Sequence, residues 1–190
     1  MPNYFCRYKT PEAFDDIILK SDGEVLAALL FEGSKNVVLR GCEERDLPIF
    51  RKTFSWLDIY FSGRQPDFTP HYRIENFTPF RKEVSEIMTE IPFGQTVTYG
   101  EIAAKIAARH GTTKMSAQAV GGAVGWNPVC IIVPCHRVVG SNGNLTGYGG
   151  GIKNKIALLQ LEGLDLGKFT VPKNEISLSS PGSQALQTHL

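Results

Sequence analysis

The chain has 190 residues, of which 42% are apolar, and its formal net charge at neutral pH is +1. This composition is ordinary for a globular protein and leaves room for one full-sized domain or two small ones. No apolar segment approaches membrane-spanning length, and the N-terminus lacks the basic-then-apolar pattern of a signal peptide. We therefore expect no membrane partner and no export.

The charges and the cysteines suggest where the protein works. Residues 1–76 hold 10 Lys and Arg against 12 Asp and Glu, whereas residues 77–190 hold 10 against 7, an excess too small to indicate nucleic-acid binding alone. The four cysteines form no CxxC pair: Cys6, Cys42, Cys130 and Cys135. We expect a reducing, cytoplasmic location, or a nuclear one if the source has a nucleus.

A structural metal site is not expected. Cys6, Cys42 and His71 are the only N-terminal residues that suggest one, and they show no ligand-pair spacing.

The first 61 residues predict a small sheet covered by a helix. Tyr4 to Lys9 resembles a short strand, and two further strands flank an Asp22-Gly23 turn, the second reaching Phe31. Residues 47–61 then place aromatic and leucine side chains at helical spacing, which indicates an amphipathic helix whose apolar face is core. Gly63 to Asn76, with two prolines and few apolar residues, predicts an interdomain linker.

Three capping signals mark helices in the second half. Thr78 precedes a proline at the first helical position, Thr98 and Glu101 form a capping box, and Ser116 opens a short run of Ala, Gly and Val. The last two helices suggest a helix-turn-helix. The run after Ser116 offers few side chains for reading bases in a major groove, so a helix packed inside the domain is the alternative.

A thiol and an imidazole adjoin at the end of an apolar run, residues 129–133. The run has the length of a buried strand, and Pro134 should end that strand and place Cys135 at its lip. The neighbouring His136 is suited to lower the pKa of the thiol and make it a nucleophile. A free cysteine is also often a buried small hydrophobe, and these residues alone leave both interpretations open.

A last helix is predicted to end at Glu162-Gly163, with glycine as its C-cap. Beyond it the chain becomes polar, and we expect a flexible tail over residues 171–190.

The segment around Cys135 resembles the active-site signature of the O6-alkylguanine-DNA alkyltransferases, also called methylated-DNA-protein-cysteine methyltransferases. The resemblance covers roughly residues 77–165, from the Phe93 to Tyr99 segment through Asn127-Pro128 and the glycine-rich stretch 140–151. It implies an α/β N-terminal domain with a ribonuclease-H-like sheet and a helix in residues 1–76. A mainly α, helix-turn-helix, winged-helix-like domain would then occupy residues 77–170.

The resemblance also implies a reaction. Cys135 would accept the alkyl group of O6-methylguanine irreversibly, and His136 would deprotonate it through a water. Glu162 would orient the imidazole, and Tyr99 would help to rotate the nucleotide and protonate the leaving base. The partner would be double-stranded DNA containing alkylated guanine, with the target base flipped out, no cofactor and a monomeric protein. O4-methylthymine is a second expected substrate.

The remaining expected site residues bind DNA or the base. They are Gln118, Asn127, the Val133 backbone oxygen, Arg137, Tyr148 and Gly149. Two of them depart from the family pattern. Gln118 stands where an arginine is frequent, and we expect it to fill the gap left by the extruded base. Gly149 replaces a serine, which leaves only backbone donors for O6.

Two rival functions fit part of the pattern. A cysteine hydrolase would use Cys135, His136 and Glu162, but no oxyanion motif is evident in the sequence. A non-catalytic damage sensor resembling the alkyltransferase-like proteins would lack the acceptor cysteine, and Cys135 therefore argues against it.

Overall fold

The N-terminal sheet contains the predicted strands. A computed structural model describes residues 4–171, and its first four strands are β1 Tyr4–Tyr8, β2 Ile17–Ser21, β3 Leu26–Phe31 and β4 Glu43–Glu44. Their order is β3-β2-β1-β4, with β1, β2 and β3 antiparallel and β4 parallel to β1. The predicted turn is confirmed, because Asp22 Oδ1 accepts hydrogen bonds from the next backbone N–H groups and Gly23 has a φ of 112°.

Helix α1, Pro48–Phe61, covers this sheet as predicted. Its ring contacts with β1 show the packing: Tyr8 lies 5.2 Å from Phe54 and 6.0 Å from Phe61 between ring centroids. The fully inward face of the helix also carries Trp56 and Tyr60, which are 7% and 1% exposed. The last turn of α1 therefore points a tyrosine into the protein interior.

Four further helices follow in the second half. They are α2 Pro79–Thr89, α3 Tyr99–Arg109, α4 Ala117–Gly125 and α5 Ile152–Leu161. The predicted caps are confirmed: Thr78, Thr98 and Ser116 each accept a hydrogen bond from a backbone N–H in the first helical turn. Gly163 follows the end of α5 with a φ of 80°, as a C-terminal glycine should.

The predicted strand over residues 129–133 is wrong. Val129 makes a single bridge to Leu29 of β3: Leu29 N donates to the Pro128 carbonyl and Cys130 N donates to the Leu29 carbonyl, both at 2.9 Å. The chain then reverses at Ile131, whose φ of 68° is unfavourable for a β-branched residue and breaks the extended backbone. Cys135 therefore begins a 3-10 turn, Cys135–Arg137, that follows a tight loop.

A short parallel pair anchors the chain after this turn. Strand β5, Val97–Thr98, pairs with β6, Val138–Val139, in a separate two-stranded sheet. The start of α3 is thereby fixed next to the residues that follow the thiol and the imidazole.

The two halves of the chain contact each other at several points. In the expected linker, the His71 carbonyl accepts a hydrogen bond from Leu26 N, and Arg73 N donates back to the Leu26 carbonyl, both at 2.9 Å. Asp15 and Asn154 also form a reciprocal pair, with bonds of 3.0 and 2.8 Å. One hydrophobic cluster includes side chains from both halves. The N-terminal sheet is thus joined to the helices that carry the site.

Within residues 4–171, no helix is long and apolar enough to cross a bilayer. The same part of the chain contains no cluster of three side chains suited to bind a metal ion. The expected tail, from residue 172 onward, lies outside the described residues.

The capping box of α3 gives a stability prediction. Thr98 Oγ1 accepts from Glu101 N at 3.1 Å, and Glu101 Oε2 accepts from Thr98 N at 2.6 Å. We expect Thr98→Ala to lower the free energy of unfolding by about 1–2 kcal/mol, measured by urea denaturation, because Glu101 N loses its acceptor and Glu101 Oε2 loses the Thr98 hydroxyl. Thr113→Ala, in the exposed loop after α3, is the control and should change it by less than about 0.5 kcal/mol. Equal effects of the two changes would contradict this account of the cap.

Candidate active site

The Cys135 sulfur is buried and held by an asparagine. Cys135 is 4% exposed, and the side-chain amide of Asn127 donates to its Sγ at 3.1 Å. Asn127 Oδ1 in turn accepts from Val129 N at 3.0 Å, so the amide is fixed by the loop that precedes the thiol. Asn127 is therefore more than a turn residue, because it orients the sulfur directly.

The surroundings of the sulfur favour its charged form. The Cys130 thiol stabilises the thiolate through a hydrogen bond, and the Asn127 amide and the Lys155 charge act in the same direction. Together they lower the pKa of Cys135 against the opposing effect of burial. A thiol of this kind is a stronger nucleophile at neutral pH than an ordinary buried cysteine.

The neighbouring imidazole is completely buried. His136 is 0% exposed, and its Nε2 lies 2.8 Å from Glu162 Oε1 and 3.3 Å from the Tyr60 hydroxyl. Its Nδ1 has no hydrogen-bond partner among residues 4–171. Burial lowers the pKa of His136, although Glu162 opposes this shift, so the imidazole is neutral at neutral pH.

Glu162 is a buried carboxylate surrounded by donors. Arg137 Nε and Nη2 each donate to it at 2.9 Å, and Gly94 N donates at 3.1 Å. Burial alone would raise the pKa of Glu162, but it is lowered to about 2 by the hydrogen bonds of His136 and Arg137, by the Arg137 charge and, at the low pH where Glu162 titrates, by the charge of a protonated His136. Since an ionised carboxylate only accepts, Nε2 of the neutral imidazole must carry the proton, and Nδ1 has the free lone pair.

Two expected base-binding groups are occupied inside the protein. Arg137 is 7% exposed, and its Nη1 donates to the Ile91 carbonyl at 2.7 Å while its other nitrogens bind Glu162. The Val133 carbonyl accepts from Asn127 Nδ2 at 2.9 Å and from Cys135 N at 2.8 Å. Both groups therefore have partners inside the protein, and their expected contacts with DNA or a base stay predictions.

Two buried polar residues near the site were not selected from the sequence. Lys155, 0% exposed, donates from its Nζ to the Val138 carbonyl at 2.7 Å and to the Thr146 carbonyl at 3.3 Å. A lysine on the apolar face of the last predicted helix was a visible signal. Tyr60 gave no such signal, since it lies 76 residues before His136 in the chain.

A cavity opens at the glycine-rich loop. Its volume is about 740 Å³, and its lining includes Tyr148, Gly149 and, from the N-terminal half, Ser34. Tyr148 also lies within electrostatic reach of Cys135, and its buried hydroxyl makes no hydrogen bond of ordinary geometry within the described chain. The cavity thus has space for a planar ligand, with Tyr148 in its wall.

The glycine-rich loop fits closely against β3. A Cβ atom on Gly150 would lie 2.6 Å from the Phe31 ring and 2.7 Å from the Tyr148 ring. Only glycine allows this approach, so the N-terminal sheet helps to set the position of the cavity wall.

The other expected residues lie nearer the surface. The Tyr99 hydroxyl donates to the Thr146 carbonyl at 3.2 Å, in the loop that leads to the cavity. A Cβ atom on Gly121 of α4 would lie 3.9 Å from the Tyr99 ring, so α3 and α4 approach closely. Gln118 is exposed in the first turn of α4. The structure therefore brings Cys135, His136, Glu162 and Asn127 together and leaves Gln118 facing solvent.

Known proteins are similar to this chain in sequence and in fold. Residues 79–164 match the family described as 6-O-methylguanine DNA methyltransferase, DNA binding domain. A methylated-DNA–protein-cysteine methyltransferase of Methanosarcina acetivorans is 40% identical over 161 residues, which cover 84% of this chain and 98% of that relative. The chain belongs to this family. The Haemophilus influenzae member is 36% identical, with 84% of this chain and 86% of the relative covered.

Solved structures of family members have the same fold. Mycobacterium tuberculosis OGT, in a crystal structure with DNA, superposes with a TM-score of 0.72 at 36% identity, covering 84% of this chain and 92% of that one. The O6-methylguanine-DNA methyltransferase of Pyrococcus kodakaraensis gives 0.61 at 26% identity, covering 84% and 99%. The predicted α/β class is confirmed: residues 4–171 form a small mixed sheet with five helices.

Membership confirms the predicted enzyme class, a methylated-DNA–protein-cysteine methyltransferase that acts in DNA repair by alkyl transfer. It disfavours the hydrolase and sensor interpretations, since the matched relatives are methyltransferases.

The low pKa of Glu162 predicts a pH dependence of stability. Because the folded pKa of about 2 is below the ordinary 4.5, the contribution is complete above pH 4.5 and is lost as pH falls toward 2. The difference corresponds to about 3 kcal/mol. We expect urea unfolding to show that the wild type loses more stability than Glu162→Gln between pH 5 and pH 2.5. Parallel losses in both proteins would contradict an ionised Glu162.

Proposed function

We propose that the protein repairs double-stranded DNA by transferring the methyl group of O6-methylguanine to its own Cys135, irreversibly and once per molecule. One observation supports this most: the buried Cys135 sulfur, which the Asn127 amide holds at 3.1 Å, is followed by a buried imidazole whose Nδ1 has no hydrogen-bond partner among residues 4–171. DNA as the partner is supported by the related Mycobacterium tuberculosis OGT, whose crystal structure was solved in complex with DNA.

The proposed step balances in atoms and charge. Nδ1 of His136 takes the proton from the Cys135 thiol, through a bridging water, and Glu162 stabilises the resulting imidazolium. The thiolate attacks the methyl carbon, an S–C bond forms, and the C–O6 bond breaks. The guanine that leaves must gain a proton, for which we propose the Tyr99 hydroxyl; the imidazolium of His136 then gives its proton, through water, to the resulting tyrosinate. Tyr148 and the backbone at Gly149 would hold the base in the cavity.

The product explains why each molecule would react once. A methyl thioether has no carbonyl for water to attack, whereas the thioester of a cysteine hydrolase does. No group of the proposed site would cleave the new S–C bond. Turnover would therefore require a new protein molecule for every lesion.

The base must leave the stack to reach a buried sulfur. Extrusion costs a few kcal/mol, less for a damaged pair, and we propose that α4 contacts the minor groove while Gln118 enters the gap. The smooth Ala, Gly and Val surface of α4 suits close contact with any sequence. We propose O4-methylthymine as a second substrate, because the same extrusion would bring it to Cys135.

The proposal extends to the assembly and the domains. We propose a monomer with a ribonuclease-H-like unit in residues 1–76 and a helix-turn-helix, winged-helix-like unit in residues 77–170. The antiparallel β1–β2–β3 sheet under α1 and the adjacent α3 and α4 support this division. The four cysteines, all free, fit the expected reducing cytoplasm or nucleus.

Methyl transfer to Cys135 can be tested by mass spectrometry. We expect that one equivalent of duplex DNA with a single O6-methylguanine adds one methyl group to the peptide that contains Cys135, because that thiol is the activated nucleophile. Cys135→Ser should abolish the transfer, and Cys130→Ser, the matched control at the neighbouring thiol, should still transfer to Cys135. Methylation of Cys130, or unrepaired DNA with the wild type, would refute the proposal.

The role of Gln118 can be separated from the chemistry. We expect Gln118→Ala to slow repair of duplex DNA roughly tenfold, about 1.4 kcal/mol of the extrusion cost, because the gap is no longer filled. The reaction with a free O6-alkylguanine base should be unchanged. Gln160→Ala, at an exposed glutamine of α5, is the control. An unchanged rate on duplex DNA would exclude Gln118 as the intercalating residue.

A further inference from the structure

A tyrosine from the N-terminal half reaches the imidazole and the carboxylate. Tyr60, in the last turn of α1, donates its hydroxyl proton to Glu162 Oε1 at 2.7 Å, and the same hydroxyl oxygen lies 3.3 Å from His136 Nε2. Its ring stacks on Trp56 with centroids 5.5 Å apart and planes 5° apart, and it meets Phe93 edge-on at 6.0 Å. Tyr60 is therefore held rigidly against the site.

The hydroxyl is a permanent donor under ordinary conditions. Burial and the charge of Glu162 raise the pKa of Tyr60 well above its usual value, with Cys135 acting in the same direction and Arg137 opposing. The phenol thus stays protonated at neutral pH. Since Glu162 is ionised, the hydroxyl proton must point to its oxygen.

The hydroxyl competes with the imidazole for one oxygen. Glu162 Oε1 accepts from Tyr60, from His136 and from Arg137. When one oxygen accepts several hydrogen bonds, each of these bonds is weaker. The hydrogen bond from Tyr60 also fixes the plane of the carboxylate. Tyr60 therefore limits how strongly Glu162 stabilises an imidazolium, while keeping the bond to Nε2 in place.

The other charged groups around His136 do not replace this effect. Besides Glu162, the imidazole is faced by Arg137 from the same turn and by Lys155 from α5, and both cations disfavour its protonation. The adjacent Cys135 is the proton source in the proposed reaction. Tyr60 is the group whose removal changes Glu162 without removing a charge.

We propose that Tyr60 is a positioning residue for alkyl transfer, whose hydroxyl holds Glu162 so that His136 stays neutral, protonated at Nε2 and open at Nδ1. This inference rests on the proposed function of Cys135. It assigns to the N-terminal half a direct part in the chemistry, through α1, in addition to structural support.

The test compares two Tyr→Phe variants. Tyr60→Phe removes the hydroxyl and keeps the stacked ring. Tyr8→Phe is the matched control, because the Tyr8 hydroxyl also donates to a carboxylate, Asp58 Oδ1, at 2.7 Å. Asp58 belongs to α1, as Tyr60 does, but lies away from the site. For each protein, the second-order rate of alkyl transfer is measured against pH, and the pKa of His136 is measured by NMR of the labelled imidazole.

We expect the two readouts to move together in Tyr60→Phe alone. The pKa of His136 and the acid limb of the rate profile should rise by about half to one pH unit, which slows the reaction about three- to tenfold below that limb. A fluorotyrosine incorporated only at position 60 keeps the ring and is a stronger donor, so it should shift both readouts in the opposite direction. This variant also covers the case in which Tyr60→Phe does not fold.

Each contrary result has a distinct meaning. If Tyr60→Phe and the fluorotyrosine protein show the His136 pKa and the rate profile of the wild type, as Tyr8→Phe should, the role of Tyr60 is refuted. A rate change without a change in the His136 pKa refutes it as well. If the wild type transfers no methyl group, the proposed function fails, while the NMR titration still decides whether Tyr60 controls the imidazole.

Discussion

The buried negative charge of Glu162 is the constraint on which the site depends. A carboxylate removed from water is costly unless it is paired and fully hydrogen-bonded. Here Arg137 supplies the countercharge, and Gly94, His136 and Tyr60 supply further donors. Because these groups come from α1, the loop before β5 and the turn at the thiol, satisfying one charge brings together distant parts of the chain.

The same charge organises the chemistry. It determines which nitrogen of His136 carries the proton, and so which nitrogen is available as a base. A different set of groups acts on the Cys135 sulfur: Cys130, Asn127 and Lys155 favour its thiolate form. In a medium that excludes most water, both effects are stronger than they would be at a surface. The protein thus supports an acceptor and a base on adjacent residues, with different partners for each.

Local signals predicted much of the fold. The helix caps at Thr78, Thr98 and Ser116 were recognisable because a cap involves residues three positions apart. The strand over residues 129–133 was not predictable in this way, since an apolar run does not reveal that β3 offers it only one bridge or that Ile131 reverses the chain.

The site was predicted in part, and what was missed has a common cause. Cys135 and His136 are adjacent in sequence, and Glu162 followed from the resemblance. The sequence did not reveal that Arg137 and the Val133 carbonyl have partners inside the protein, because occupied hydrogen bonds are a property of the folded chain. Tyr60 escaped notice for the same reason, since its partner Glu162 lies 102 residues away.

Ionised Glu162 holds His136 in one neutral form, and the rest of the proposed chemistry depends on that form. Nitrogen-15 NMR of the wild-type protein, labelled at histidine and recorded near neutral pH, tests it most directly, since the two ring nitrogens of each tautomer have distinct shifts and proton couplings. We predict that His136 carries its proton on Nε2 and has an unprotonated Nδ1. A proton on Nδ1, or a fully protonated ring, would contradict this.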